Sequence, residues 1–321
     1  MTRPVHDVTG ALFLVVAATL WGCWSIVFRS AEALSVGPLP ASSETAVVFV
    51  TVLVAMGPLA LVSRRRQLAT GPVGVPLPAR SRRDWSLLLA LGVTDAVNAL
   101  CFFQAMQQTT VAIAVLCHYL TPVLVAVLSP LVLGERRRVS TLVALVVALS
   151  GLVLLLQPWV GLSAGDVAGA GLASLSAVFY AATVFIGKGL AGRFNPFEVT
   201  AWSKLTSVPV LVVAALVVSD GLAVEALPLL VLVAGGVVCG AVPALLFYAG
   251  LQRLQASQAS VLTLVEPLVA VVVGVAVWGE PLNALGMLGG ALVLLGAVII
   301  ARVGVSPSSP SPSSPSSSSP C

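Results

Sequence analysis

The sequence predicts an all-α membrane protein with ten transmembrane helices, arranged as two five-helix inverted repeats. Three observations carry the prediction. The 321 residues are 58% hydrophobic and only 9% charged, with mean hydropathy +1.07, whereas soluble domains run near one half apolar and one quarter charged. Apolar stretches long enough to cross a bilayer recur along almost the whole chain. Finally, a segment of the first half is written again, in weaker form, in the second.

A helix rises 1.5 Å per residue, so about 20 apolar residues cross about 30 Å of hydrocarbon. Ten stretches fit: 10–28, 44–62, 86–106, 109–133, 139–157, 166–187, 198–218, 229–250, 257–278 and 283–302. The first follows a short basic N-terminus but runs on through Trp21 to Phe28 without a small-residue cleavage site, so it reads as an uncleaved span. Polar, Gly and Pro punctuation separates the rest: Arg64 to Arg66 and Arg80 to Arg83, Glu135 to Arg138, Pro158 to Asp166, Gly192 to Pro196, and Ser219 to Gly221. The turns at 107–110 and 251–256 have the weakest punctuation, and each hairpin can be drawn as one longer apolar tract.

The repeat has fixed landmarks. Pro122 matches Pro267, Gly134 matches Gly279, Glu135 matches Glu280 and Gly151 matches Gly296, all 145 residues apart (267 − 122, and likewise for the others). Two related membrane halves are the mark of a transporter scaffold, with the site expected where the halves meet. The chain then divides into a cytoplasmic N-terminus (1–9), a first half (10–157), an outer linker (158–165), a second half (166–302) and a Ser/Pro tail (303–321) too poor in apolar residues to fold.

Charge sets the orientation. With both termini cytoplasmic, 14 of the 16 Lys and Arg residues fall on the inner side, Arg29 alone lies outside, and Lys204 sits within a span. The net charge of +4 is therefore spread through short loops and does not form a nucleic-acid-binding face. Five spans per half is an odd number, so the halves insert with opposite orientation; the basic loop Glu135 to Arg138 lies inside while its counterpart Glu280-Pro281 lies outside without a base.

Ala18 to Gly22 in the first span, Gly134-Glu135-Arg136 after the fourth, Glu266-Pro267 in the ninth and Gly279-Glu280 after it resemble the EamA-type branch of the drug/metabolite transporter superfamily. The resemblance covers residues 10–302. It implies ten helices in two inverted halves, a central cavity, and export of small metabolites, amino acids or toxic compounds across a bacterial plasma (inner) membrane. The first half departs from the pattern, with Thr121-Pro122 where many relatives have Glu-Pro.

Ionisable side chains inside hydrocarbon are costly, about 2.5–3.5 kcal/mol on insertion scales, and therefore mark cavities or partners. Glu266 stands at mid-span as a substrate or proton site, or alternatively only accompanies the kink at Pro267 with Thr263 helping to satisfy local polar groups. Asp95 and Asn98 share a helix face, for a cavity or for an interhelical hydrogen-bonded staple. His118, beside Tyr119 and ahead of the helix-breaking Pro122, is a proton-relay or packing histidine. Lys204 is either a cavity residue for carboxylates or a side chain reaching back to the cytoplasmic interface. Trp21, Trp24, Tyr180 and Trp202 line the cavity or anchor span ends. Glu135 and Glu280 read as loop or helix-cap residues, and the small-residue spacings at 236/240 and 286/290 as packing surfaces.

The five cysteines show no paired spacing, and no disulfide, metal or cofactor is expected. No phosphate-binding Gly-rich loop with a following Lys-Ser or Lys-Thr occurs, so ATP drive lacks support, and no nucleophile and base or zinc-type His motif points to an enzyme. The expected function is a secondary transporter exporting a small organic solute by alternating access, with proton coupling through Glu266. A membrane sensor or structural protein and an intramembrane enzyme are the alternatives. The expected partners are a small-molecule substrate and the lipid bilayer, with no nucleic acid; the oligomeric state, a monomer included, is open.

Overall fold

The structure is a computed structural model that describes residues 8–70, 79–159, 166–218 and 224–303. Expectations for residues 1–7, for the loop residues Ser219 to Gly221, for most of the outer linker and for the tail beyond Val303 fall outside the described residues. Among the described residues ten helices are long and apolar enough to cross a membrane: α1 (Val8–Leu34), α2 (Ala41–Ala69), α3 (Arg82–Gln108), α4 (Val111–Val132), α5 (Val139–Leu156), α6 (Val167–Gly189), α7 (Pro196–Val217), α8 (Ala226–Leu251), α9 (Ala256–Trp278) and α10 (Ala284–Arg302). No strand occurs among the described residues.

Several helices outrun the expected spans by a turn, because hydropathy sees only the hydrocarbon core while capping chemistry sets the real ends. Ser81 accepts from the Asp84 N–H and Asp84 returns the bond, which starts α3 before its apolar stretch. Asn195 and Glu198 do the same for α7. The weakly punctuated turns are hairpins as drawn: Thr110 caps α4 by accepting from Ile113, and at the start of α9 the Gln255 N–H donates to the Gln258 side-chain oxygen at 3.3 Å.

Breaks within spans add what hydropathy could not show. α1 is interrupted at Cys23, α4 at Tyr119-Leu120, α7 at Ser203 and α9 at Thr263-Leu264, while α8 contains a π-helical turn at Gly236–Ala241. The breaks in α4 and α9 fall just ahead of Pro122 and Pro267, whose missing N–H cannot continue an upstream ladder.

The repeat is visible in the backbone. Gly134 and Gly279 both have φ +67°, ending α4 and α9 in the same left-handed turn. Glu135 donates its N–H to Ser129 and Glu280 donates to Gly274, again 145 residues apart (274 − 129). α5 and α10 pack on each other with matching contacts: a Cβ on Gly151 would strike the backbone of Gly289 and Val293, and one on Gly296 would strike Ala144 and Ala148, their counterparts. An interface in which residue i meets j and the equivalent of j meets the equivalent of i is what a two-fold relation produces.

The two ends of the bundle differ. At the basic end, where the Arg-rich loops lie, the halves are stitched together: Arg80 pairs with the buried Glu198 at 2.7 Å and Glu135 accepts from the Ala256 N–H at 2.7 Å, while within the second half Gln252 donates to the Phe194 carbonyl at 3.0 Å. At the far end the links are exposed, notably Arg29 with Glu280 and Gln157 with Asn283.

Candidate functional site

α3 places Asp95, Asn98 and Phe102 on one face, one and two turns apart. This face meets α7 at backbone contact. Gly92 lies one turn before Asp95, and a Cβ there would collide with the Ser203 carbonyl and the Thr206 hydroxyl. Ser207 donates to the Gly92 carbonyl at 2.8 Å and Thr206 to that of Leu89 at 2.7 Å. The break at Ser203 then starts a new segment with Lys204, whose ammonium forms an ion pair with Asp95 and sits 4.1 Å from the Phe49 ring centroid. Lys204 is 6% exposed. The interfacial alternative for Lys204 is thus corrected: its partners lie inside the bundle, and a charge paired there has no reason to reach for the interface. The staple alternative for Asp95 and Asn98 holds for Asp95 alone, whose partner is α7, while the Asn98 side-chain oxygen is buried with no hydrogen-bond partner among the described residues.

The break in α4 is tied to α6. The Thr121 hydroxyl lies 2.8 Å from the His118 carbonyl and 3.1 Å from that of Ala177. His118 Nδ1 is 2.8 Å from the Ser176 hydroxyl, and its ring stacks on Tyr180 (centroids 5.3 Å apart) and lies against Phe102. In α9, Thr263 donates to the Ser260 carbonyl at 2.8 Å and is buried away from the cavity. One turn on, Glu266 faces the cavity, with the buried Tyr119 close to it.

These elements enclose a cavity of about 200 Å³. Its polar wall is Asp95, Asn98, His118, Thr183, Lys204 and Glu266; its aromatic wall is Trp21, Trp24, Phe49, Phe102, Phe103, Tyr180, Phe247 and Tyr248. Of the residues expected from sequence, Asp95, Asn98, His118, Lys204, Glu266, Tyr180, Trp21 and Trp24 come together here. Tyr119 stands behind Glu266, and Thr263, Pro122 and Pro267 shape the helix breaks without lining the cavity. Trp202 packs in the core. A second cavity of about 490 Å³, between α2, α3 and their neighbours, shares Phe103 with the first.

Phe49, Phe102, Phe103, Phe247, Tyr248 and Thr183 escaped the sequence reading, because an aromatic or hydroxyl residue in an apolar span looks like core or lipid contact. One signal was available: Phe102 follows Asp95 by seven residues on the same face, as Thr183 follows Tyr180 by three. Among the described residues no group of three or more His, Cys, Asp or Glu gathers as a metal centre needs.

The EamA-like transporter family matches residues 8–157 and 167–302. An uncharacterized transporter of Archaeoglobus fulgidus is 35% identical over 216 residues, 67% of this chain and 76% of its own length. The pseudopaline exporter CntI of Pseudomonas aeruginosa is 26% identical over 92% of this chain and 96% of its own. A solved crystal structure at 22% identity has the same fold, with TM-score 0.74 over 92% of this chain and 98% of that one. Ten apolar spans around a polar and aromatic cavity, matched twice by one family, make this chain a multi-pass membrane transporter rather than an enzyme, and it belongs to the EamA-like transporter family.

Proposed function

We propose that the protein is a secondary exporter of a small organic metabolite, working by alternating access of its two halves, with both termini and the basic end in the cytoplasm of a bacterial cell. The observation that carries this reading is the cavity: ionisable groups from both halves, Asp95 from the first and Lys204 and Glu266 from the second, face one space between them. Such groups inside a membrane mark substrate or ion paths. The volume argues for size. About 200 Å³ is below the roughly 300–1,000 Å³ of drug-sized sites, which favours an amino acid or similar metabolite over a large amphiphilic drug.

The chemistry of the walls supports a polar, partly aromatic or aliphatic solute. The Asn98 oxygen offers a free acceptor, the Asp95–Lys204 pair offers both signs of charge, and the aromatic rings offer faces to apolar or cationic groups. Glu266 is the group we assign to proton exchange, since a chain without an ATP site needs a gradient to drive export. The relative named as an exporter supports the outward direction.

Comparing the metabolites of cells with and without the protein, then following the candidate solutes into inverted membrane vesicles, tests the reading. An exporter fills inverted vesicles. Vesicles that accumulate none of the solutes that differ between the two cell types would overturn it.

A further inference from the structure

Glu135 and Glu280 occupy equivalent positions with equivalent backbones. Each follows a glycine at φ +67° and donates its N–H to the carbonyl six residues earlier. Their side chains nevertheless have different partners. Glu135 crosses to the other half, where one oxygen accepts from the Ala256 N–H at 2.7 Å and the other lies 3.5 Å from the Ser257 N–H and hydroxyl. It thereby covers the first turn of α9, whose N–H groups have no partner within the helix. The counterparts of Ala256 and Ser257 are Val111 and Ala112, in the first turn of α4 (256 − 145 and 257 − 145). Glu280 is elsewhere, paired at 2.7 Å with Arg29, both side chains about half exposed (48% and 49%).

The same asymmetry runs through the packing. The basic-end halves of α4 and α9, Thr121–Val132 and Ala256–Leu262, pack on each other, while their far-end halves, Val111–His118 and Val265–Trp278, make no comparable contact. The bundle is closed on the side where a glutamate spans α4 and α9, and splayed on the side where its counterpart does not.

We propose that Glu135 and Glu280 are reciprocal positioning residues of the transport cycle. In the state described here Glu135 holds the basic end shut by capping α9; in the opposite state Glu280 leaves Arg29 and caps α4 at Val111 and Ala112 as Glu135 lets go. Each state then keeps one carboxylate at a helix N-terminus, an interaction that favours negative charge, so the exchange proceeds with little net loss. Arg29 holds the idle Glu280 in the meantime, which gives the lone base of the far end a specific task. The proposal rests on the transporter reading, but no substrate enters its test.

The test uses full-length protein with its five native cysteines replaced. The pair Glu135→Cys/Ala256→Cys should cross-link in resting membranes, and Glu280→Cys/Val111→Cys should cross-link from the opposite state. With Thr183→Cys as a cavity reporter, a membrane-impermeant maleimide should label Glu135→Ala from the basic end about fivefold faster than the parent, the size of a carboxylate–helix-terminus interaction. Glu280→Ala should shift labelling the other way, and Glu135→Gln, which keeps an acceptor oxygen, should fall between parent and Ala. A merely structural role would move both variants in one direction. Shifts of the same sign, or a 280/111 pair that never cross-links while the 135/256 pair does, would overturn the proposal. If vesicles still fill under that outcome, only the latch fails; if labelling never alternates between sides and nothing is transported, the transporter reading fails with it.

Discussion

Along α4 and α9 the proline, the left-handed glycine and the following glutamate recur at one spacing, each behind a helix break, yet the mid-membrane chemistry does not. Where α4 presents His118 and Thr121, α9 presents Thr263 and Glu266. Thr121 and Thr263 both bond a carbonyl one turn back, so the polar positions have traded places between structural and cavity-facing work. The comparison teaches that the repeat preserves the breaks and turns of the backbone while the cavity is lined by unlike residues of the two halves.

The sharpest way to break that comparison lies in the Asp95–Lys204 pair, which joins α3 of one half to α7 of the other. Lys204→Met should leave the cavity-facing Asp95 carboxylate, 19% exposed, without its partner and lower stability by about 1–3 kcal/mol, with transport lost. Asp95→Asn should behave alike, whereas the double variant Asp95→Asn/Lys204→Met should recover most of the stability and none of the transport. Thermal unfolding in detergent and vesicle uptake measure the two effects. Single variants as stable as the parent would show that the pair is not a buried link between the halves.

A second test concerns the acid itself. Glu266→Gln keeps shape and removes titration, so accumulation driven by a pH gradient should fall at least about tenfold, equivalent to about 1.4 kcal/mol, while downhill exchange partly survives. Moving the acid, as Thr121→Glu with Glu266→Thr, should not rescue accumulation, because Thr121 is buried against the His118 and Ala177 carbonyls and does not line the cavity. Unchanged pH dependence in Glu266→Gln would remove Glu266 from proton exchange. Rescue by the swap would mean that the halves are chemically as well as structurally interchangeable.

Much of this was legible in the sequence, for reasons that differ by level. The spans follow from hydropathy, and the hinges from Pro122, Pro267, Gly134 and Gly279, since a missing N–H and a left-handed turn are properties of single residues. Asp95, His118, Lys204 and Glu266 stood out because charge in hydrocarbon is expensive. Which of them meet was not legible: the Asp95–Lys204 pair depends on the backbone contact at Gly92, a relation between residues more than one hundred positions apart (204 − 95). The aromatic wall was hidden for the opposite reason, since Phe102 and Phe247 cost nothing in any apolar surrounding. Glu135 and Glu280 read as caps or loop residues, and Glu135 is a cap, but of a helix in the other half.

The smallest expected effect sharpens the comparison at the glycines. Gly134 and Gly279 share φ +67°, and a Cβ at either would meet nothing within 4 Å, so Gly134→Ala and Gly279→Ala carry only the backbone cost of a left-handed L-residue, about 1–2 kcal/mol. If the turns are equivalent, the two losses should agree within about 0.5 kcal/mol in thermal unfolding, the margin within which independent sites add. The glutamates that follow make this a demanding test. Glu135 caps α9 from a partly buried position, while Glu280 holds an exposed pair with Arg29, so an alanine that displaced the turn would cost more at Gly134 than at Gly279. Equal losses mean that each turn holds its glutamate in place at the expense of backbone strain alone. A larger loss at Gly134 would mean that the turn and the carboxylate move together, and that the closed end of the bundle draws its stability from both.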